Sequence, residues 1–164
     1  MLENHGILLD WPDGQVVIAN LKFRKMPVGV RAMGKGQVSI RNAIFERYTI
    51  AGIHIDNLQP VPNLAELPSL CSPNGQFGSR AVEICSVTAR GGVSGADGIW
   101  IQQTDDVLIA SSFLRNNTGS GLFLDRDSVH VTNSRVTSNR VGVRIESPVH
   151  DQLIEQTDVE ANEL

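Results

Sequence analysis

Gly98-Ile99-Trp100-Ile101 is followed 23 residues later by Gly121-Leu122-Phe123-Leu124, and both read as a glycine and then apolar side chains at alternate positions. The same phrase stands at Gly6-Ile7-Leu8-Leu9, Gly29-Val30-Arg31-Ala32, Gly52-Ile53-His54-Ile55 and Gly142-Val143-Arg144-Ile145, so successive glycines are 23, 23, 46, 23 and 21 residues apart. Alternation with a period of two is the mark of a strand with one buried face. When such a strand returns at a fixed pitch, the units form a solenoid and bury that face only against their neighbours.

Working outward, each glycine phrase is followed by a second alternation, at Val16/Ile18, Val38/Ile40, Val82/Ile84, Val107/Ile109, Val129/Val131 and, less cleanly, Leu153/Ile154. Two residues further stands a small or amide side chain: Asn20, Asn42, Ser86, Ser111, Asn133 or Gln156. Stacked amides at a turn are expected to hydrogen-bond their copies on the coils above and below. A third apolar position follows at Phe23, Phe45, Leu114, Val136 and Val159, and then a second polar column at Asn117, Asn139 and Asn162. One coil therefore reads strand, turn, strand, amide turn, short third strand, return.

With these rungs and asparagine columns the chain resembles the right-handed parallel β-helix proteins, the pectin lyase-like architecture, over nearly its whole length. The resemblance implies an all-β fold, a right-handed parallel β-helix solenoid of about six coils, forming a single domain over residues 1–164. Regular short strands would also suit a β-sandwich. The doubled step between Gly52 and Gly98 is one rung plus one long inserted loop at residues 57–79, where Pro60, Pro62, Pro68 and Pro73 cannot continue a sheet. Such a loop is either functional or a tolerated surface insertion.

The formal net charge is −4 and the chain has no run of basic residues, which argues against a nucleic-acid partner. No stretch is long and apolar enough to span a membrane, and no leader with a cleavage site is visible. The expected location is extracellular or periplasmic, with a leader outside this sequence. Both ends read as cut, because neither terminal rung carries a visible cap, so a segment of a longer protein is expected. Cys71 in the inserted loop and Cys85 after the second strand are the only cysteines; a bridge that pins the loop and two buried thiols are both open readings. His5, His54, His130 and His150 lack zinc-ligand spacing.

If the residues one and three past each glycine form the core, those two and four past it face outward. The nearer outward column is Leu8, Arg31, His54, Trp100, Phe123 and Arg144; the farther is Asp10, Met33, Asp56, Gln102, Asp125 and Glu146. Trp100 and Phe123 should stack about one strand spacing apart, roughly 5 Å, as exposed rings that either a sugar or the inserted loop covers. Asp125 and Glu146 share a column on neighbouring coils, an arrangement suited to acid–base work on a glycosidic bond or, with Asp56 more distant, to calcium. Arg144 beside them offers the plainer reading of a surface ion pair.

Gly95-Ala96-Asp97-Gly98-Ile99-Trp100-Ile101 resembles the Asn-Thr-Asp-Gly stretch of the polygalacturonase family of glycoside hydrolases, and Gly142-Val143-Arg144-Ile145-Glu146 is similar to that family's Arg-Ile-Lys segment. The resemblance implies an acid at Asp97 and substrate contact at Arg144. Where the family has Asp-Asp and Gly-His-Gly, this chain has Gly119-Ser120 and Arg140-Val141-Gly142, and Glu146 replaces the lysine.

Two functions compete. In the first, an acidic polysaccharide lies along the first strands, contacted by Arg31, His54, Asp56, Trp100 and Phe123, with Asp97, Asp125, Arg144 and Glu146 as the candidate catalytic set for hydrolysis, lysis or epimerisation. No cofactor is expected, calcium being the one ion the carboxylates would suit. In the second, the solenoid is a non-catalytic structural or adhesion segment, as in surface and phage tail proteins, and a homo-oligomer such as a trimer goes with that reading. Fold alone does not choose between them.

Overall fold

Three short apolar alternations per coil, separated by small residues that turn the chain, leave the backbone few options except to wind into a ribbon of strands. The computed structural model describes residues 5–12, 14–61, 71, 80–125, 128–146 and 152–163. Coil 1 holds β1 (His5–Asp10), β2 (Gln15–Ala19) and β3 (Lys22–Arg24), and coil 2 holds β4 (Val28–Lys35), β5 (Gln37–Arg41) and β6 (Ile44–Glu46). Coil 3 has β7 (Ala51–Gln59), β8 (Val82–Cys85) and β9 (Thr88–Arg90); coil 4 has β10 (Asp97–Gln102), β11 (Val107–Ala110) and β12 (Phe113–Arg115). Coil 5 comprises β13 (Ser120–Asp125), β14 (Val129–Thr132) and β15 (Arg135–Thr137), and coil 6 β16 (Val141–Glu146), β17 (Gln152–Glu155) and β18 (Asp158–Glu160).

The first strands of all six coils pair in parallel into one sheet, the second strands into another and the third strands into the last. This is a parallel β-solenoid of about six turns, all-β among the described residues. Register keeps like with like. Val30, Ile53, Ile99 and Leu122 lie side by side in the first sheet and are fully buried. Each such side chain contributes about 1.5 to 3 kcal/mol by leaving water. On coil 6 the corresponding inward residues Ile145, Ile154 and Val159 remain partly exposed, since no further strand is described over them.

The repeated glycine is a matter of space. None of the six phrase glycines has a positive φ. A Cβ at Gly121 would stand 2.7 Å from Asn139 Nδ2, and one at Gly142 would stand 2.8 Å from both Asn162 Nδ2 and Val159 Cγ1. The glycine lets the first strand approach the corner where the asparagines stack. There Asn117 Nδ2 donates to Asn139 Oδ1 at 2.9 Å and Asn139 Nδ2 to Asn162 Oδ1 at 3.2 Å, and the second hydrogens of these amides reach backbone carbonyls of the neighbouring coils. Buried amides with donors and acceptors both met rigidify the corner.

The other amide column does a different job from the one expected. Asn20, Asn42, Ser86, Ser111, Asn133 and Gln156 all have φ between 47 and 58°, and they turn the chain from the second sheet to the third in the left-handed conformation. Only Asn42 to Asn20, at 3.4 Å, links two of these side chains among the described residues. Just past this corner a hydroxyl ladder does form, one the sequence reading missed: Ser134 Oγ accepts from the Ser112 amide at 3.1 Å, and Thr157 Oγ1 from the Ser134 amide at 3.4 Å.

The insertion also needs correction. β7 continues through Asn57 and Leu58 to Gln59, Leu58 is fully buried, and its amide donates to Thr104 Oγ1 at 3.1 Å. β4 is lengthened to match, with a register shift between Met33 and Gly34. The loop therefore leaves the sheet after Gln59 and not at Asn57. Pro62, Pro68, Pro73, Leu64, Leu67 and Leu70 lie outside the described residues. Cys71 is bonded to Cys85, with Cα atoms 5.7 Å apart, which replaces the reading of two free thiols. It packs against Leu108 and Ala110, so the insertion is tethered on the outward side of the second sheet.

Candidate functional site

The first sheet's outward side is where the sequence placed its candidate residues. Parallel, in-register pairing puts Arg31, His54, Trp100, Phe123 and Arg144 side by side on consecutive coils. The rings stack. His54 and Trp100 have centroids 4.2 Å apart and planes within 12°, Trp100 and Phe123 5.5 Å and 21°, and the Arg144 guanidinium lies 4.9 Å over the Phe123 ring. The spacing expected from strand geometry, about 5 Å, is therefore found.

The expected exposure is not. His54 and Phe123 are buried and Trp100 is half-buried, because the rings cover each other's faces. Aromatic stacking and the cation over the last ring satisfy most of the apolar surface without a ligand. What this column offers to solvent is ring edges, bounded by Arg31 and Arg144. A sugar ring cannot lie flat on Trp100, since His54 and Phe123 occupy both faces.

In the farther column Asp56, Gln102, Asp125 and Glu146 follow in register. Arg31 Nη2 reaches Asp56 Oδ2 at 3.4 Å, on the directly neighbouring rung. Glu146 is held by Arg144 on its own strand, through Nη2 and Oε1. Asp125 and Glu146 are direct cross-strand partners, as expected, and Glu146 is already engaged by a cation.

Asp97 sits at the start of β10, whereas Asp125 aligns with Gln102 at its end. At roughly 3.3 Å per residue the two aspartates are about 16 Å apart along the sheet. That is beyond the separation at which two carboxyls flank one glycosidic bond, about 5 to 9.5 Å. The structure thus brings Asp125 and Glu146 together and leaves Asp97 apart. Asp97 accepts the Ser120 amide at 2.6 Å, and burial holds its carboxyl above the ordinary 3.8, opposed by that hydrogen bond and by the charge of Arg144. Next to it, burial and then the Asp97 charge push the Tyr48 hydroxyl well above the usual tyrosine range.

Among the described residues no group of three or more His, Cys, Asp and Glu side chains is placed to hold a metal ion. No helix among the described residues is long and apolar enough to cross a membrane.

A second constellation escaped the sequence reading. Glu46 on β6 receives Arg90 through Nε at 3.0 Å and through Nη2, Arg24 Nε at 2.6 Å and Lys22 Nζ at 3.3 Å. Arg90 foremost, then Arg24 and Lys22, hold its carboxyl down at about 2. The signal was present: Arg24, Glu46, Arg90 and Arg115 recur at the third residue of the third strand. These cations are scattered in the chain and become neighbours only by coiling. Comparison with protein-family models, with curated proteins and with solved structures returns no match, so the likeness to polygalacturonases rests on the stretches around Asp97 and Arg144 alone and the geometry carries the functional argument.

Proposed function

We propose that this solenoid is a carbohydrate-active module that holds an acidic polysaccharide against the outward side of the first sheet. The observation that carries the reading is the unbroken His54–Trp100–Phe123–Arg144 stack on a face turned away from the core. An acidic chain lying along it would meet the guanidinium groups of Arg31 and Arg144 through its carboxylates, and ring edges and Asp56 through its hydroxyls. The Cys71–Cys85 disulfide supports an oxidising compartment, where polysaccharides are found.

Cleavage or epimerisation on this surface would fall to Asp125 and Glu146, and it requires Glu146 to be released from Arg144. Asp97, at the start of β10, would not share a glycosidic bond with that pair. The test is affinity electrophoresis against a panel of acidic and neutral glycans. Retardation by acidic glycans, weakened in Trp100→Ala and Arg144→Ala variants that keep the parent circular dichroism, supports the reading; no retardation of the parent protein ends it.

The alternative of a non-catalytic structural or adhesion segment is favoured by one observation: the rings on this face already satisfy each other. In that case the stack is a spine that stiffens the ribbon. A trimer in solution whose melting temperature falls with Trp100→Ala, without any glycan binding, would be its signature.

A further inference from the structure

Although the chain carries a net charge of −4, its third sheet gathers cations. Arg24, Glu46, Arg90 and Arg115 form one outward column across coils 1 to 4, and Glu46 is the only carboxylate on those four strands. Beside this column, at the corner leading back to the first sheet, stand Lys25 and Arg47, both exposed. Two clefts run between the columns. One of about 300 Å³ is walled by Arg24, Lys25, Glu46 and Arg47, the other of about 270 Å³ by Glu46, Arg47, Arg90, Gly91 and Asn116. They share Glu46 and Arg47 as lining residues and so adjoin each other as a broken groove.

Two features make this more than a solvated surface. Glu46 ties down Lys22, Arg24 and Arg90, while Lys25, Arg47 and Arg115 have no carboxylate partner among the described residues. Lys25 and Arg47 occupy the left-handed corner that every coil uses, where Gly91, Asn116, Ser138 and Ala161 follow them, so the turn carries both side chains outward beside the column.

We propose that this groove is a second binding surface, taking a linear acidic polysaccharide with sulfate or carboxylate groups at sugar-unit intervals. Lys25 and Arg47 stand on successive rungs, as do Arg90 and Arg115, so the cations of each pair are about 4.8 Å apart along the solenoid axis, close to the length of one sugar unit. Single-stranded nucleic acid fits less well, because its bases need open aromatic faces, and Phe113, the aromatic residue on these strands facing outward, already lies under the Arg115 guanidinium at 4.8 Å. The disulfide likewise favours a glycan partner over an intracellular polyanion. This inference concerns the third sheet alone and is independent of the reading of the first.

The experiment is a salt titration of binding to fluorescent heparin and fluorescent polygalacturonate, with a single-stranded oligonucleotide of matched charge as competitor. The test variant is Lys25→Gly/Arg47→Gly, which removes two cations while relaxing both corners, so folding is preserved; it is compared with its parent in an Arg144→Ala background, which removes the first sheet's cation beside the rings. The expected result is glycan binding that weakens with salt, exceeds that of the oligonucleotide, and falls about tenfold or more when the corner substitutions are added to the Arg144→Ala background. Absence of binding to both glycans overturns the proposal. So does an oligonucleotide bound as tightly as the glycans, or an affinity unchanged in the corner variant.

Discussion

The Tyr48 hydroxyl donates to Asn117 Oδ1 at 2.6 Å, reaching across the rung between them, where the corner position belongs to Gly92. A Cβ on Gly92 would stand 2.6 Å from Tyr48 Cε2, so the ring occupies the space that the missing side chain leaves. Tyr48 thereby ends the asparagine ladder from the other side. The Gly92 amide meets the same Asn117 oxygen at 3.0 Å. Tyr48→Phe is expected to cost only about 1 kcal/mol, because Asn117 Oδ1 keeps that second donor, whereas Asn117→Ala strands several buried groups and costs about 3 kcal/mol. Urea denaturation of the two variants checks the order; equal losses would show that the hydroxyl carries no separate part.

Gly121→Ala brings a methyl group to 2.7 Å from Asn139 Nδ2 in a corner that cannot yield without breaking the ladder. A loss of about 1 to 3 kcal/mol is expected, in line with other overpacked sites. Gly14→Ala, whose Cβ would meet nothing nearer than 3.7 Å, serves as the comparison and should melt close to the parent.

Opening the Cys71–Cys85 bond releases a constraint that spans 14 residues. Loop-closure entropy puts the effect at about 3 kcal/mol. A Cys71→Ser/Cys85→Ser variant, or the parent in reductant, should therefore show a lower denaturation midpoint, while circular dichroism at low denaturant stays unchanged because the sheets do not depend on the tether.

Asp97 and Glu46 predict opposite pH dependences. Burial raises the folded value of Asp97 above 3.8, so the folded state holds the proton more tightly than the unfolded chain and stability falls as pH rises through that window. Asp97→Asn should flatten this segment of the stability curve.

For Glu46 the cations lower the folded value from 4.5 to about 2, so its contribution is present above 4.5 and is lost as pH falls towards 2. Acid titration of Glu46→Gln should lack that loss, and a curve matching the parent between pH 4.5 and 2 would show that the three cations stabilise the carboxylate no better than water does.

Glycine pitch and period-two alternation were enough to establish the coils, the three strands of each, and which side chains of the first strand point inward, because both patterns are local: neighbouring residues decide which way a strand's faces turn. They were enough, too, to place Trp100 beside Phe123 and Asp125 beside Glu146, since constant pitch converts chain separation into adjacency. The outcome of that adjacency was beyond their reach. That the aromatic faces are spent on one another, that Arg144 takes Glu146, and that β7 runs on to Gln59 all depend on side-chain packing between coils. The basic groove shows the reason most plainly. Lys25, Arg47, Arg90 and Arg115 form no run in the chain, and only coiling, which brings residues more than twenty positions apart to within one strand spacing, turns scattered cations on an acidic protein into one surface.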